Sequence, residues 1–234
     1  MDFQQNNTIV DPAFAQDEQS FITQVFGWMA TALLISALAA YYVSSTPSII
    51  EFVFGTPFVF YGFLILELLM VAYLAGMVKT MSLTTARITF IIYSVLNGVT
   101  LSFIFLIYTS GSIAVTFFIS AGVFGAMAIY GYFTKTDLTS WGNLLFMALL
   151  GLIVASVVNL FWFNETLYWV TTYAGILIFV GLTAYDVQKI KNMNTVMDGN
   201  SDEDKKEAIM GALTLYLDFI NLFLNFLRIF GKRK

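Results

Sequence analysis

The chain has no cysteine and no histidine among its 234 residues, and only 11% of them are charged. Without cysteine, disulfides, thiol catalysis and thiolate metal sites are excluded. Without histidine, the usual pH sensor and the commonest transition-metal ligand are gone too. Proton chemistry then has to run on carboxylates, tyrosine or lysine, and no cofactor is expected. A soluble domain of this size carries roughly 25% charged residues. The deficit here accompanies 59% hydrophobic residues and a mean hydropathy of +0.79, which places most of the chain in lipid. The net charge is −4, and the absence of a basic stripe argues against a nucleic-acid partner. The opening stretch, MDFQQNNTIVDPAFAQDEQS, lacks lysine, arginine and a short apolar core. It reads as a polar cytoplasmic tail over residues 1–20, not as a cleavable signal peptide.

What the chain does have is long apolar runs. Seven are long enough to cross about 30 Å of hydrocarbon, near 25–46, 57–78, 88–108, 112–133, 141–162, 167–187 and 211–230. Most links between them are short, so the fold expected for residues 21–231 is an all-α integral membrane bundle of seven transmembrane helices. No internal repeat is visible, which leaves an inverted-repeat transporter without support. Small residues such as Gly122, Gly125 and Gly131, or Gly151, Ala155 and Ser156, are expected where helices pack closely. The one long connection, 188–210, reads as a solvated loop. Within it, Ser201 followed by Asp204 predicts a capping box and a last helix that begins outside the membrane. Asp198-x-Asn200-x-Asp202 resembles the start of an EF-hand loop, but Glu203 stands where that loop requires glycine, so no such site is expected.

Loop cations set the orientation. The links after the second, fourth and sixth spans carry Lys79, Arg87, Lys135, Lys189, Lys191, Lys205 and Lys206, seven against none in the links after the first, third and fifth. That asymmetry puts the first set in the cytoplasm, with the N-terminus. A seventh span that crosses fully carries the short basic tail, residues 232–234, to the outside, against the rule, and one that re-enters leaves it inside. The run 211–230 is long enough for the full crossing.

Polar groups inside the spans are costly, at least ~2.5–3.5 kcal/mol for a charge on insertion scales. In the last span Gly211, Thr214, Asp218, Asn221, Asn225 and Arg228 fall within about 100° of arc. One polar stripe on an otherwise apolar helix points to a central helix surrounded by the other six. The amides read first as a structural seam bridging helices, with Arg228 snorkelling from the end. Asp218 is too expensive a seam element. Asp186 closes the sixth span, either as an interface pair with Lys189 or as a partner for Asp218, since both lie in the cytoplasmic half. Two carboxyls in one low-dielectric site cannot both ionise cheaply, so such a pair makes a pH sensor, and its oxygens suit a hard cation such as Ca2+. Glu67 sits mid-span in the second helix, to pair with Arg228 or a tyrosine hydroxyl, or to line a polar cavity.

"LTAYDVQKIK" followed by "GALTLYLDFINLFLNFLRIFG" closely resembles the signature of the Bax inhibitor-1 family, in its bacterial YccA-like branch; the likeness covers residues 20–231, with "GWM" near Trp28 and "ELLMVAYLAGM" in the second span. The resemblance implies six helices around a central seventh, a pH-sensitive Ca2+ leak, Asp186 and Asp218 as a di-aspartate pair, and Glu67 and Arg228 at matching positions. It also implies a latching arginine at the inner end of the second span. Val78 stands there instead, with Lys79 beside it as the candidate latch.

The expected function is therefore a proton-regulated Ca2+ leak of the bacterial inner membrane, with the lipid bilayer, Ca2+ and protons as its partners. The alternative is a regulatory protein acting on membrane proteases or cell-stress machinery, with structural acids. A proton-coupled solute carrier ranks third. An enzyme is not expected: an intramembrane aspartyl hydrolase needs a G-x-G-D context, which "TAYD" does not offer.

Overall fold

The computed structural model describes residues 12–194 and 201–234, with side chains over 21–193 and 201–234. Among these the helices are α1 (Pro12–Ser44), α2 (Pro47–Phe54), α3 (Pro57–Met77), α4 (Leu83–Leu101), α5 (Phe103–Ile107), α6 (Ser110–Phe133), α7 (Thr139–Phe161), α8 (Glu165–Asn194) and α9 (Asp202–Phe230). Seven spans are long and apolar enough to cross a membrane, with α4 and α5 counting as one over Leu83–Ile107.

Local chemistry sets the helix ends. Pro47 and Pro57 open α2 and α3, where a fixed φ helps and the missing N–H was an orphan anyway. The Ser82 hydroxyl caps α4 by accepting from the Thr85 N–H at 3.1 Å. α9 starts on the expected capping box. Ser201 Oγ accepts from the Asp204 N–H at 3.1 Å, and the Asp204 carboxylate accepts from the Ser201 N–H at 3.2 Å.

The 188–210 stretch departs from a solvated loop. α8 runs on to Asn194 and α9 begins at Asp202; Asp198 and Asn200 lie outside the described residues. The extension of α8 is anchored by tertiary bonds. Gln188 accepts from the Leu138 N–H at 2.8 Å and donates to the Thr136 carbonyl at 2.8 Å. One turn on, the Lys191 ammonium donates to the Tyr132 carbonyl at 2.9 Å.

α9 is the best covered span, with 67% of its apolar window buried, against 11% for α3 and 0% for α7. It packs directly on α1, α4, α6 and α8. α3 rests on α4 and α2, and α7 rests on α8. Two glycines allow the closest approaches of one helix backbone to another. A Cβ on Gly98 would stand 2.5 Å from the Ser36 carbonyl of α1, and one on Gly131 would meet the Ala184 backbone of α8. Gly122, Gly125 and Gly151 instead have open space where a side chain would stand, so they do not mark helix contacts.

The bundle has two distinct ends. At one, the Lys206 ammonium donates to the carbonyls of Lys79 and Met81 at 3.1 and 3.4 Å, joining the start of α9 to the α3–α4 turn. At the other, the Thr109 N–H donates to the Lys232 carbonyl at 2.9 Å, and the Lys234 N–H to the Ile107 carbonyl at 3.0 Å. α9 therefore runs the whole height of the bundle, about 44 Å at 1.5 Å per residue.

Candidate functional site: a carboxyl pair on an intramembrane cavity

The polar stripe of α9 faces a cavity of about 1010 Å3. Thr214, Asp218, Asn221, Asn225 and Arg228 line it from α9, Asp186 and Lys189 from α8, and Glu67 from α3; α7 supplies much of the apolar wall. The stripe thus looks into space bounded by α3, α7 and α8, which explains how lipid is spared five polar positions in fifteen residues of helix.

Asp218 and Asp186 are 5% and 9% exposed, and their carboxyls stand within hydrogen-bonding reach of each other. Asp218 Oδ2 is buried without a hydrogen-bond partner. Lys189, one turn after Asp186, is the cation beside the pair, and its ammonium lies 6.0 Å from the Tyr185 ring centre. Two carboxyls placed this way in a low dielectric cannot both ionise cheaply. Ca2+ takes six to eight oxygens, and the described residues contain no cluster of three or more acids able to hold a metal.

Glu67 reaches the same cavity but is held from behind. Its carboxylate accepts from Thr100 Oγ1 at 2.6 Å and from Asn97 Nδ2 at 3.1 Å. Asn97 Oδ1 accepts from the Tyr216 hydroxyl at 2.8 Å, and that hydroxyl shares a 2.7 Å hydrogen bond with Ser36 Oγ. Arg228 is not its partner: the guanidinium lies over the Tyr168 ring at 5.5 Å. The ion pair found among the described residues joins Lys79 to Glu207 at 3.8 Å, on a Lys79 side chain that is 84% exposed. Lys79 thus ties the α3–α4 turn to α9, and Lys189 occupies the place beside the aspartates. Asn221 and Asn225 bridge no helices either; each amide donates at 2.8 Å to a carbonyl of its own helix, Leu217 and Asn221.

Sequence reasoning passed over Asn97, Thr100, Tyr216 and Ser36. A faint signal existed. Asn97 and Thr100 are three residues apart in the apolar run "IIYSVLNGVTL", which puts two polar groups on one helix face.

Fold and site together define a multi-pass membrane protein with a buried carboxyl pair on an intramembrane cavity. The family described as "Inhibitor of apoptosis-promoting Bax1" matches residues 18–234, and the chain belongs to it, the Bax inhibitor-1 family. It is 46% identical over 233 residues to the inner membrane protein YbhL of Escherichia coli (strain K12), covering 99% of both chains. It is 44% identical over 229 residues to an uncharacterised protein of Rickettsia prowazekii, covering 97% of this chain and 95% of that one. An uncharacterised protein of Borreliella burgdorferi is 43% identical over 217 residues, with 93% and 94% covered.

Proposed function

We propose that this protein is a pH-regulated Ca2+ leak of the bacterial inner membrane, gated by the Asp186–Asp218 pair. The observation that carries the reading is two buried carboxyls within reach of each other on a cavity inside the membrane. The seven lysines and arginines of the links at the α3–α4, α6–α7 and α8–α9 end put that end, and the N-terminus, in the cytoplasm. Residues 232–234 then lie outside. Asp186 is two residues from Gln188, which grips the α6–α7 turn, so the pair sits at the cytoplasmic end of the cavity. Arg228 stands ten residues, about 15 Å, further along α9.

The gating logic follows from charge. A shared proton holds α8 and α9 together at the pair. Raising the pH removes it and adds repulsion between two buried anions, which loosens the cytoplasmic ends of both helices. Lowering the pH neutralises both groups and removes the anionic step for a cation. The shared-proton state therefore occupies a bounded window, and leaving it in either direction changes flux.

Ca2+ flux into liposomes holding only this protein tests the reading. Wild-type flux should depend on pH between about pH 6 and about pH 8, whereas Asp218→Asn and Asp186→Asn should each flatten the dependence. The double variant should add little, because the carboxyls act as one unit. Wild-type flux and pH dependence in both single variants would remove the basis for the leak. Absence of flux in the wild type would favour the regulator of membrane proteases instead.

A further inference from the structure

A second cavity, of about 350 Å3, opens where the α5–α6 turn meets the end of α9. Its walls are apolar, with Ile107 and Leu227 among them, and its polar groups are Tyr108, Tyr168, Arg228 and Arg233; no acidic residue lines it. The two arginines arrive by different routes. Arg228 comes from the last turn of α9 and lies over Tyr168. Arg233 comes from the segment after the helix, which is fixed against the α5–α6 turn. It pairs with Tyr108 as an antiparallel bridge, flanked by the backbone bonds of Lys232 and Lys234. The Lys234 ammonium adds a third tie, to the Phe105 carbonyl at 2.7 Å.

Two guanidiniums are thus brought to one small cavity, and neither is in an ion pair with a carboxylate of the described residues. Like charges repel, so a site that gathers two of them gains stability from an anion between them. The planar N–H fork of a guanidinium matches the spacing of phosphate oxygens. Tyr108 and Tyr168 also line it, and a tyrosine hydroxyl is a further donor. The cavity also lies at the end of the spans, where a membrane helix leaves the hydrocarbon, and its apolar walls suit the first carbons of an acyl or glycerol chain.

We infer that this cavity is a binding site for a phosphate oxyanion, the phosphodiester of an anionic phospholipid, held by Arg228 and Arg233. The site stands independently of the leak reading. Because Arg228 also lines the large cavity, the bound phosphate would neutralise the one arginine facing the aspartates along α9.

The test is lipid retention by the full-length protein, read by native mass spectrometry after extraction with phosphatidylglycerol or phosphatidylcholine. Wild type should retain phosphatidylglycerol in preference. Arg233→Gln should weaken that retention roughly tenfold, the loss of about one charge-assisted hydrogen bond. Lys232→Gln removes the same net charge one residue away and should leave retention unchanged. Arg228→Lys keeps the charge but loses the planar fork, and should bind less well than wild type. Equal retention of the two lipids would overturn the site. So would equal losses in Arg233→Gln and Lys232→Gln, which would reduce it to the charge of the tail. In lipid-free detergent, inorganic phosphate that stabilises wild type but not Arg233→Gln, without a lipid preference, would assign the cavity to a soluble anion and overturn the lipid.

Discussion

One hydroxyl, that of Tyr216, joins α9 to Asn97 of α4 and Ser36 of α1, and through Asn97 to Glu67 of α3. The ring is fully buried, with Tyr93 and Phe90 edge-on at 5.9 and 6.3 Å. Tyr216→Phe keeps that packing and strips the hydrogen bond to Asn97 Oδ1, while Ser36 Oγ keeps its 2.7 Å bond to the Ser94 carbonyl; the loss should cost about 1 kcal/mol. Thermal unfolding in detergent should move clearly downward; an unchanged midpoint would mean that the polar chain contributes nothing. Glu67 was visible in the sequence as a lone acid in an apolar span, but its partners were not. Which residue of α4 or α9 comes opposite it depends on how the helices are rotated, and no local pattern records rotation. The same is true of Arg228, for which the partner is a ring face at 5.5 Å and not Glu67, one of the alternatives the sequence left open. The aspartates were legible because two spans joined by one connection must bring their adjacent ends together.

The spans themselves were plain from hydropathy, but their ends were not. Apolar character stops where the bilayer stops, while a helix continues as long as its backbone is satisfied. α8 continues beside Thr136, Leu138 and Tyr132, whose backbone groups bind Gln188 and Lys191. At the start of α9 the stop signal was local and could be read: the Ser201–Asp204 box. Ser201→Ala should cost about 1 kcal/mol and should speed amide exchange in the first turn of α9 alone. Faster exchange as far as Asp218 would show instead that the cap is coupled to the membrane part of the helix. Small residues were the weakest signal. Gly131 meets α8 whereas Gly122, on the same helix, meets nothing.

For the molecule as a whole, the hydrogen bonds place the start of α9 and the residues after it at opposite ends of the bundle. Reporters at Lys135 and within 195–200 should be cytoplasmic, and reporters at Asn164 and after Lys234 external. A cytoplasmic signal at Asn164 would invert the orientation, and one after Lys234 alone would contradict a full crossing by α9. Seven spans do not share the load equally. α7 forms one wall of the large cavity yet packs on α8 and buries none of its apolar window. Cohesion within the protein therefore holds that wall along one seam, and the surrounding acyl chains press on the rest of it. Bilayer thickness and chain order should then act on the width of that cavity: the distance between spin labels on α3 and α7 should change between bilayers of different chain length, and an unchanged distance would show a wall rigid without its lipid.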